Sequence, residues 1–291
     1  MTDVETTRYA QFGLVELDLL ATYAGAGIPF PLQVPSFGEV PPARDLLFAS
    51  AAETLQLRGL ANEDGPLALA EELATLLAAR SGAIDLVIGG PDWQSGAVAL
   101  VESRRAMLCL QRFNAAERDV VEVYPVETDS LAAELVKLVP AWPAGHSIPV
   151  RLPLRAVRAA QAVLAEADPS PDDRDPGDRE VGDREAAEER LRAALREGGA
   201  DATATAKLVS VLHPLQSYGQ LGVTRPGPDG QDVRVGPELS WLDTPRGRYS
   251  IASTQRSAGD GGAEEGWVSI NPLHPEDLLG TARGFVSASR R

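Results

Sequence analysis

Three histidines, one cysteine and two closely spaced arginines are the side chains from which this sequence could build a reactive site. His146, His213 and His274 are scattered, and none stands in an H-E-x-x-H arrangement, the spacing that sets two imidazoles on one helix face around zinc. His213 and His274 each precede a proline, which suits helix ends, so they read as solvated or capping groups. Ser147 follows His146 outside any G-x-S-x-G elbow, and no aspartate is placed to complete a triad. Cys109, between Leu108 and Leu110, reads as a small packed side chain rather than a nucleophile, and a lone cysteine cannot form an internal disulfide. Gly89-Gly90 and Gly261-Gly262 are turns, because neither opens a helix after a parallel strand in the manner of a phosphate-binding loop. The string Asp243-Thr244-Pro245-Arg246-Gly247-Arg248 admits two readings. It could present Arg246 and Arg248 to an anion, which would make the chain a small-molecule enzyme or an anion-binding protein. It could equally be a tight hairpin, with Asp at the first turn position, Pro at the φ-fixed one and Gly after them, and this is the favoured reading. No pair of carboxylates stands out as an acid/base couple. No catalytic, cofactor-binding or metal-binding residue is assigned.

Composition narrows the classes of function. The chain has 291 residues, 44% hydrophobic and 24% charged, with 27 basic against 42 acidic side chains and a formal net charge of −15. That length suits one large domain or two small ones, at about 100–200 residues each, and the apolar fraction is enough for a core. Nucleic-acid binding needs Lys and Arg concentrated against phosphates, which this sequence lacks; anionic membrane surfaces are disfavoured for the same reason. The apolar runs fall short of the ~18 residues of a membrane span. Asp3 and Glu5 stand where a secretory signal would carry a basic segment, so a cytoplasmic protein is expected.

The elements that would position any site follow from periodicity. A short lead ends in a strand near Tyr9–Phe12. Helices are expected over Leu14–Ala24, Pro41–Arg58 (Leu47, Ala51 and Leu55 on its buried face) and Pro66–Arg80. Ile84–Ile88, Ala97–Val101, Ala106–Phe113 and Asp119–Val123 read as four strands of an antiparallel meander, because their connections are short and turn-like. A helix capped by Thr128 or Asp129 follows. The second round holds helices over Leu154–Ala167, Glu185–Glu197 and Ala200–Leu212, then strands over Tyr218–Thr224, Asp232–Leu242, Arg248–Ser253 and Trp267–Ile270, and a last helix from Pro275. Residues 168–184 are rich in Asp, Pro, Arg and Gly and read as a mobile linker.

Sliding the chain by 147 positions lays Val120–Val139 on Trp267–Val286 without a gap, with Val121 on Val268, Pro125 on Pro272, Leu131 on Leu278 and Val139 on Val286. The expected fold is therefore α+β: a central antiparallel sheet from two pseudo-twofold-related meander-plus-helix halves, 1–140 and 150–291, flanked by helical bundles within a single domain of 1–291. Pairing of the two halves would bury open strand edges.

Two surface features remain. Trp93 lies in the turn Gly90-Pro91-Asp92-Trp93-Gln94-Ser95-Gly96, either tucked on its own sheet or serving as a partner anchor. Leu208, Val211, Leu212 and Leu215 exceed what the thin Leu191/Leu195 seam can cover; they pack on the sheet or leave a groove for a partner helix.

Gly25-Ala26-Gly27-Ile28-Pro29-Phe30-Pro31-Leu32, Arg58-Gly59-Leu60, Leu242-Asp243-Thr244-Pro245-Arg246-Gly247-Arg248-Tyr249 and Gly266-Trp267-Val268 occur in this order. Together they resemble the EspG family of ESX (type VII) secretion-associated proteins of actinobacteria. The resemblance implies a cytosolic, non-enzymatic chaperone that binds helical secretion substrates before export, either a PE–PPE-like heterodimer or a WXG100-like hairpin. It implies client contacts at the loop between the second and third strands and at the later helical bundle. On this chain those contacts are Pro91, Asp92, Trp93 and Gln94, and Leu208, Val211, Leu212 and Leu215. Homodimerisation is left open, because no repeated apolar stripe in the sequence requires it.

Overall fold

The structure is a computed structural model that describes residues 9–38, 40–114, 119–146, 149–167, 181–212, 215–228, 231–255 and 266–290. In chain order the elements are β1 (Ala10–Gly13), α1 (Leu14–Ala24), α2 (Pro41–Leu57), β2 (Ala61–Asn62), β3 (Gly65–Pro66), α3 (Ala68–Ala79), β4 (Gly82–Gly90), β5 (Trp93–Glu102), β6 (Arg105–Arg112), β7 (Val120–Glu127) and α4 (Thr128–Leu138). Then come β8 (Val150–Pro153), α5 (Leu154–Ala167), α6 (Val181–Glu197), α7 (Ala202–Leu212), β9 (Ser217–Pro226), β10 (Asp232–Arg234), β11 (Leu239–Thr244), β12 (Gly247–Gln255), β13 (Gly266–Pro272) and α8 (Pro275–Ser289). The fold class is α+β with antiparallel strands, as expected. The chain divides into two compact units: Met1–Ala141 with Tyr218–Leu239 and Glu276–Arg291, and Trp142–Ser217 with Ser240–Pro275.

In the first unit the strands lie in the order β1-β7-β6-β5-β4-β9, all antiparallel, with β10 paired to β9. The run Ala97-Val98-Ala99-Leu100-Val101 is buried throughout, so both faces of β5 are covered. Val98, Leu100, Met107, Cys109, Val121 and Val123 form one face and pack against Leu17 and Leu20 of α1, Leu55 of α2 and Leu73 and Leu77 of α3. Positions of opposite parity, Ala99, Leu108 and Leu110 among them, are equally buried, and α4 lies on β6 and β7. α1 ends at Gly25, whose φ of 62° is the left-handed conformation that an L side chain resists; its N–H reaches back to the carbonyl of Thr22.

In the second unit the order is β11-β12-β13-β8, again antiparallel. α5, α6 and α7 cover one face, where Val150, Leu152, Ala156, Leu195, Ala204, Leu208, Tyr249, Val268 and Ile270 make the core. The internal registers of the two rounds correspond. Phe12 stands opposite Val121 as Leu152 stands opposite Val268. Met107 faces Pro125 as Tyr249 faces Pro272, and Glu102 faces Arg105 as Thr244 faces Gly247. A one-residue slip in any of these pairs would turn a strand's apolar set to the wrong face, so matching registers are a demanding form of repetition.

Several boundaries differ from expectation. Pro66 belongs to a small hairpin with β2, turned by the Asn62 side chain accepting the N–H groups of Asp64 and Gly65, so α3 starts only at Ala68. The strand expected over Asp232–Leu242 is two strands, β10 and β11, because Gly236 adopts φ 72° and Pro237 has no N–H for a ladder. β8 carried no periodic signal, being only four residues long. Of the linker read over 168–184, residues 168–180 lie outside the described residues and Val181–Arg184 are helical. Asp201 takes the N-cap of α7, its Oδ1 accepting the N–H of Ala204 at 2.7 Å, so that helix begins two residues later than expected.

Candidate partner-binding surface

β4 and β5 are joined by the shortest kind of hairpin. Gly90 pairs with Trp93, leaving only Pro91 and Asp92 as the turn. Trp93 is therefore the first residue of a strand rather than the tip of a loop. Its side chain stays 37% exposed, and Pro91, Asp92 and Gln94 are exposed around it. A two-residue turn on a strand whose other end is buried gives these four residues little freedom to move.

The same end of this sheet carries aromatic groups that sequence reasoning missed. A Cβ at Gly89 would come within 2.8 Å of the Tyr218 ring, and one at Gly96 within 2.7 Å of the Phe113 ring and 2.8 Å of Pro31. Both glycines thus make room for rings lying directly on the backbone. The Phe30-Pro31 segment is held there by Gln33, whose N–H donates to the Gln111 side-chain oxygen at 2.7 Å while the Gln111 amide donates to the Gln33 carbonyl at 3.3 Å. Phe30 itself is left 58% exposed. The available signal was a glycine on each of two adjacent strands, with aromatics distant in the chain; nothing local links them.

The second group of expected contact residues lies in the second unit. Leu208 is only 5% exposed and belongs to the core under α7, beside Leu195 and Ala204. Leu215 is 40% exposed. Val211 and Leu212 fall in the last turn of α7, and their side chains lie outside the described residues.

The Asp243–Arg248 string is a buried clasp, which overturns the alternative of an anion site built on Arg246 and Arg248. Arg248 Nε donates to Asp243 Oδ1 at 2.6 Å and its Nη2 to Oδ2 at 2.8 Å, with the two side chains 3% and 0% exposed. Ser217 Oγ donates to Asp243 Oδ2 at 2.6 Å. The Arg248 backbone is claimed as well: its N–H donates to the Pro143 carbonyl, and its carbonyl accepts from Gly145 and Leu273. Gly247 sits at φ 115°, where a Cβ would strike the Ala144 carbonyl at 2.6 Å. Pro245 and Arg246 are exposed at the turn, so of the two arginines only Arg246 reaches the surface.

Of the residues weighed for chemistry, burial pushes the Cys109 thiol up to about 12, which keeps it protonated and unreactive. His146 and His274 are exposed, and His213 lies outside the described residues. Among the described residues no group of three His, Cys, Asp or Glu is placed to hold a metal ion, and no helix is long and apolar enough to cross a membrane. A groove of about 510 Å³ opens beside α3, β6 and β7, lined by Glu71, Glu72, Arg105, Met107, Val126 and Glu127 among others; none of the expected contact residues lines it.

A family model described as the EspG family matches residues 14–283. Among solved structures, the chain is similar to the Mycobacterium tuberculosis type VII secretion system chaperone EspG5, determined in complex with a PE25-PPE41 dimer. The TM-score is 0.62 at 14% identity, covering 98% of this chain and 97% of that one. An acyl-ACP thioesterase from Bacteroides thetaiotaomicron VPI-5482 scores 0.16 at 9% identity over 94% of this chain and 100% of that one, too low to bear on the fold. No curated protein matches.

Proposed function

Because this chain belongs to the EspG family, we propose that it is a cytosolic, non-catalytic chaperone that holds a helical type VII secretion substrate in soluble form until export. The observation that carries this reading is the reach of the family match, residues 14–283, which takes in the β4–β5 hairpin and the α5–α7 bundle alike. The complex of EspG5 with PE25-PPE41 supports a PE–PPE-like heterodimer as the client; a WXG100-like helical hairpin is the other candidate.

The physical task is to cover an apolar helical end that would otherwise aggregate. Trp93 on its rigid turn, flanked by Pro91, Asp92 and Gln94, is the anchor of the proposed contact, and Phe30 adds exposed apolar surface at the same end of that sheet. Val211, Leu212 and Leu215 supply the second part, with Leu208 buried beneath as the residue that seats α7. An interface of about 1,200–2,000 Å² suffices for a stable complex without the extreme affinity that would block release.

The test is co-expression with a helical substrate pair from a type VII secretion locus, followed by size-exclusion chromatography. The expected result is one soluble peak holding both proteins. A substrate that aggregates equally with and without this chain, while the chain stays folded and separate, would refute the reading.

A further inference from the structure

The groove between α3 and the β6–β7 pair holds about 510 Å³, a volume typical of ligand pockets. Its floor is apolar and fixed by register. Ala106 stands opposite Val126 and Met107 opposite Pro125, and Leu76 of α3 closes the floor from the helix side. Leu76, Ala106 and Met107 are buried. The rim is charged. One rung beyond the Ala106–Val126 pair, Arg105 stands opposite Glu127. α3 contributes Glu71 and Glu72, each one helical turn before a further lining residue, Thr75 or Leu76. Among the described residues that line the groove Arg105 is the only cation, and it leans outward on Glu102 at 3.5 Å. Glu71 and Glu127 are exposed to solvent.

We propose that this groove docks a basic peptide segment of a partner protein, with the aliphatic stems of Lys or Arg along the floor and their charged heads among Glu71, Glu72 and Glu127. Long basic side chains are two-part groups, methylenes that seek apolar surface and a head that seeks anions, and the groove offers both in that order. A wholly apolar segment would cover the carboxylates without pairing them, which costs their desolvation. An acidic segment is repelled by the rim. A bare metal ion does not fit either: among the described residues no three of His, Cys, Asp or Glu are placed to hold one, so the carboxylates are spread out instead of converging on a point. The net charge of −15 steers a basic partner toward the chain, and the groove gives it a place to lodge.

The groove lies at the β5–β6 turn, where Glu102 pairs with Arg105, whereas Trp93 begins β5 at its opposite end. That strand has ten residues, so about 30 Å separates the two ends. A basic segment in the groove therefore leaves the Trp93 end open, and the inference does not rest on the client reading.

Fluorescence anisotropy of a labelled Lys-Leu-Lys-Leu-Lys peptide, titrated with the full chain beside a Gln-Leu-Gln-Leu-Gln control, tests this. The expected result is binding of the lysine peptide alone, weakening as salt rises. Glu71→Gln combined with Glu127→Gln weakens it by about five- to ten-fold, with circular dichroism unchanged. Thr75→Trp, which fills the groove without altering its charge, weakens binding as well. Glu189→Gln combined with Glu197→Gln, at exposed positions on α6 in the other unit, removes the same charge and leaves binding within about two-fold of the wild type. Equal weakening by the α6 pair overturns the proposal, because binding would then follow net charge alone. So does binding that survives undiminished in the Glu71/Glu127 variant or in Thr75→Trp, or a chain that does not prefer the lysine peptide to the glutamine one.

Discussion

Arg248 and Asp243 meet across the β11–β12 hairpin as a two-pronged ion pair, 2.6 and 2.8 Å long, with neither side chain reaching solvent. They sit five residues apart around a tight turn, yet the groups that complete their surroundings, Ser217, Pro143 and Leu273, come from three other stretches of chain. The pair thus ties the β12 strand to the segment before β8 and to the start of β9. Its role is to hold the second unit together, which leaves Arg246 as the arginine of the pair at the surface.

Removing one partner strands the other charge in a site closed to water. Asp243→Ala and Arg248→Ala are each expected to destabilise the chain by about 3–5 kcal/mol, whereas Arg246→Ala changes stability by less than about 0.5 kcal/mol. Urea denaturation followed by tryptophan fluorescence measures all three. Equal effects at Arg246 and Arg248 would contradict the division of labour drawn from the geometry.

Trp93→Ala is expected to weaken capture of a helical client by about 10- to 30-fold, a loss of about 2 kcal/mol, with the melting temperature nearly unchanged, because over a third of the ring lies outside the protein's own core. Leu208→Ala should do the reverse: it costs about 2–3 kcal/mol of stability and disturbs binding only through α7. Titration of each variant against the same client, beside its thermal melt, separates the two.

The Cys109 thiol and the Tyr124 hydroxyl are both pushed up to about 12, Cys109 by burial and Tyr124 by burial first and the nearby Glu134 and Glu122 second. Both groups lose their protons more easily when unfolded, near 8.5 and 10. Stability is therefore complete below about pH 8 and falls as pH rises toward 12, since the unfolded chain releases protons that the native one retains. The contribution of Cys109 to that slope is about 1.4 kcal/mol per pH unit. Cys109→Ala should flatten the fall between pH 9 and 11 by about that amount, as read from denaturation midpoints; an unchanged slope would remove Cys109 as its source.

The two sides of α2 should respond oppositely. Glu16→Ala, which frees Arg58 and Thr54 from their shared carboxylate, is expected to cost about 1–3 kcal/mol. Leu46→Ser and Leu57→Ser on the outer face should move stability by less than about 0.5 kcal/mol. Chemical denaturation measures these differences.

The alternation of apolar residues, the proline and glycine punctuation and the 147-residue shift between Val121 and Val268 were enough to read the helices, most strands and the repeated plan of this protein. All of these are patterns written along the chain within a few turns or strands, where backbone geometry imposes a period. Tertiary structure alone decided the rest. It buried Arg248 and exposed Arg246, two positions away, because Ser217, Pro143 and Leu273 converge on one and not the other. It turned the leucines at 46 and 57 outward, although Leu47, Ala51 and Leu55 were read as the buried face and Leu47 proved 38% exposed. The cause lies in Asp18 and Glu16 of α1, which draw Arg44 of α2 and Arg58 at its end inward. It laid Tyr218 and Phe113 on Gly89 and Gly96. Local periodicity specifies which elements form, whereas the partner of a buried charge or the ring above a glycine comes from remote segments and exists only once the chain has closed on itself.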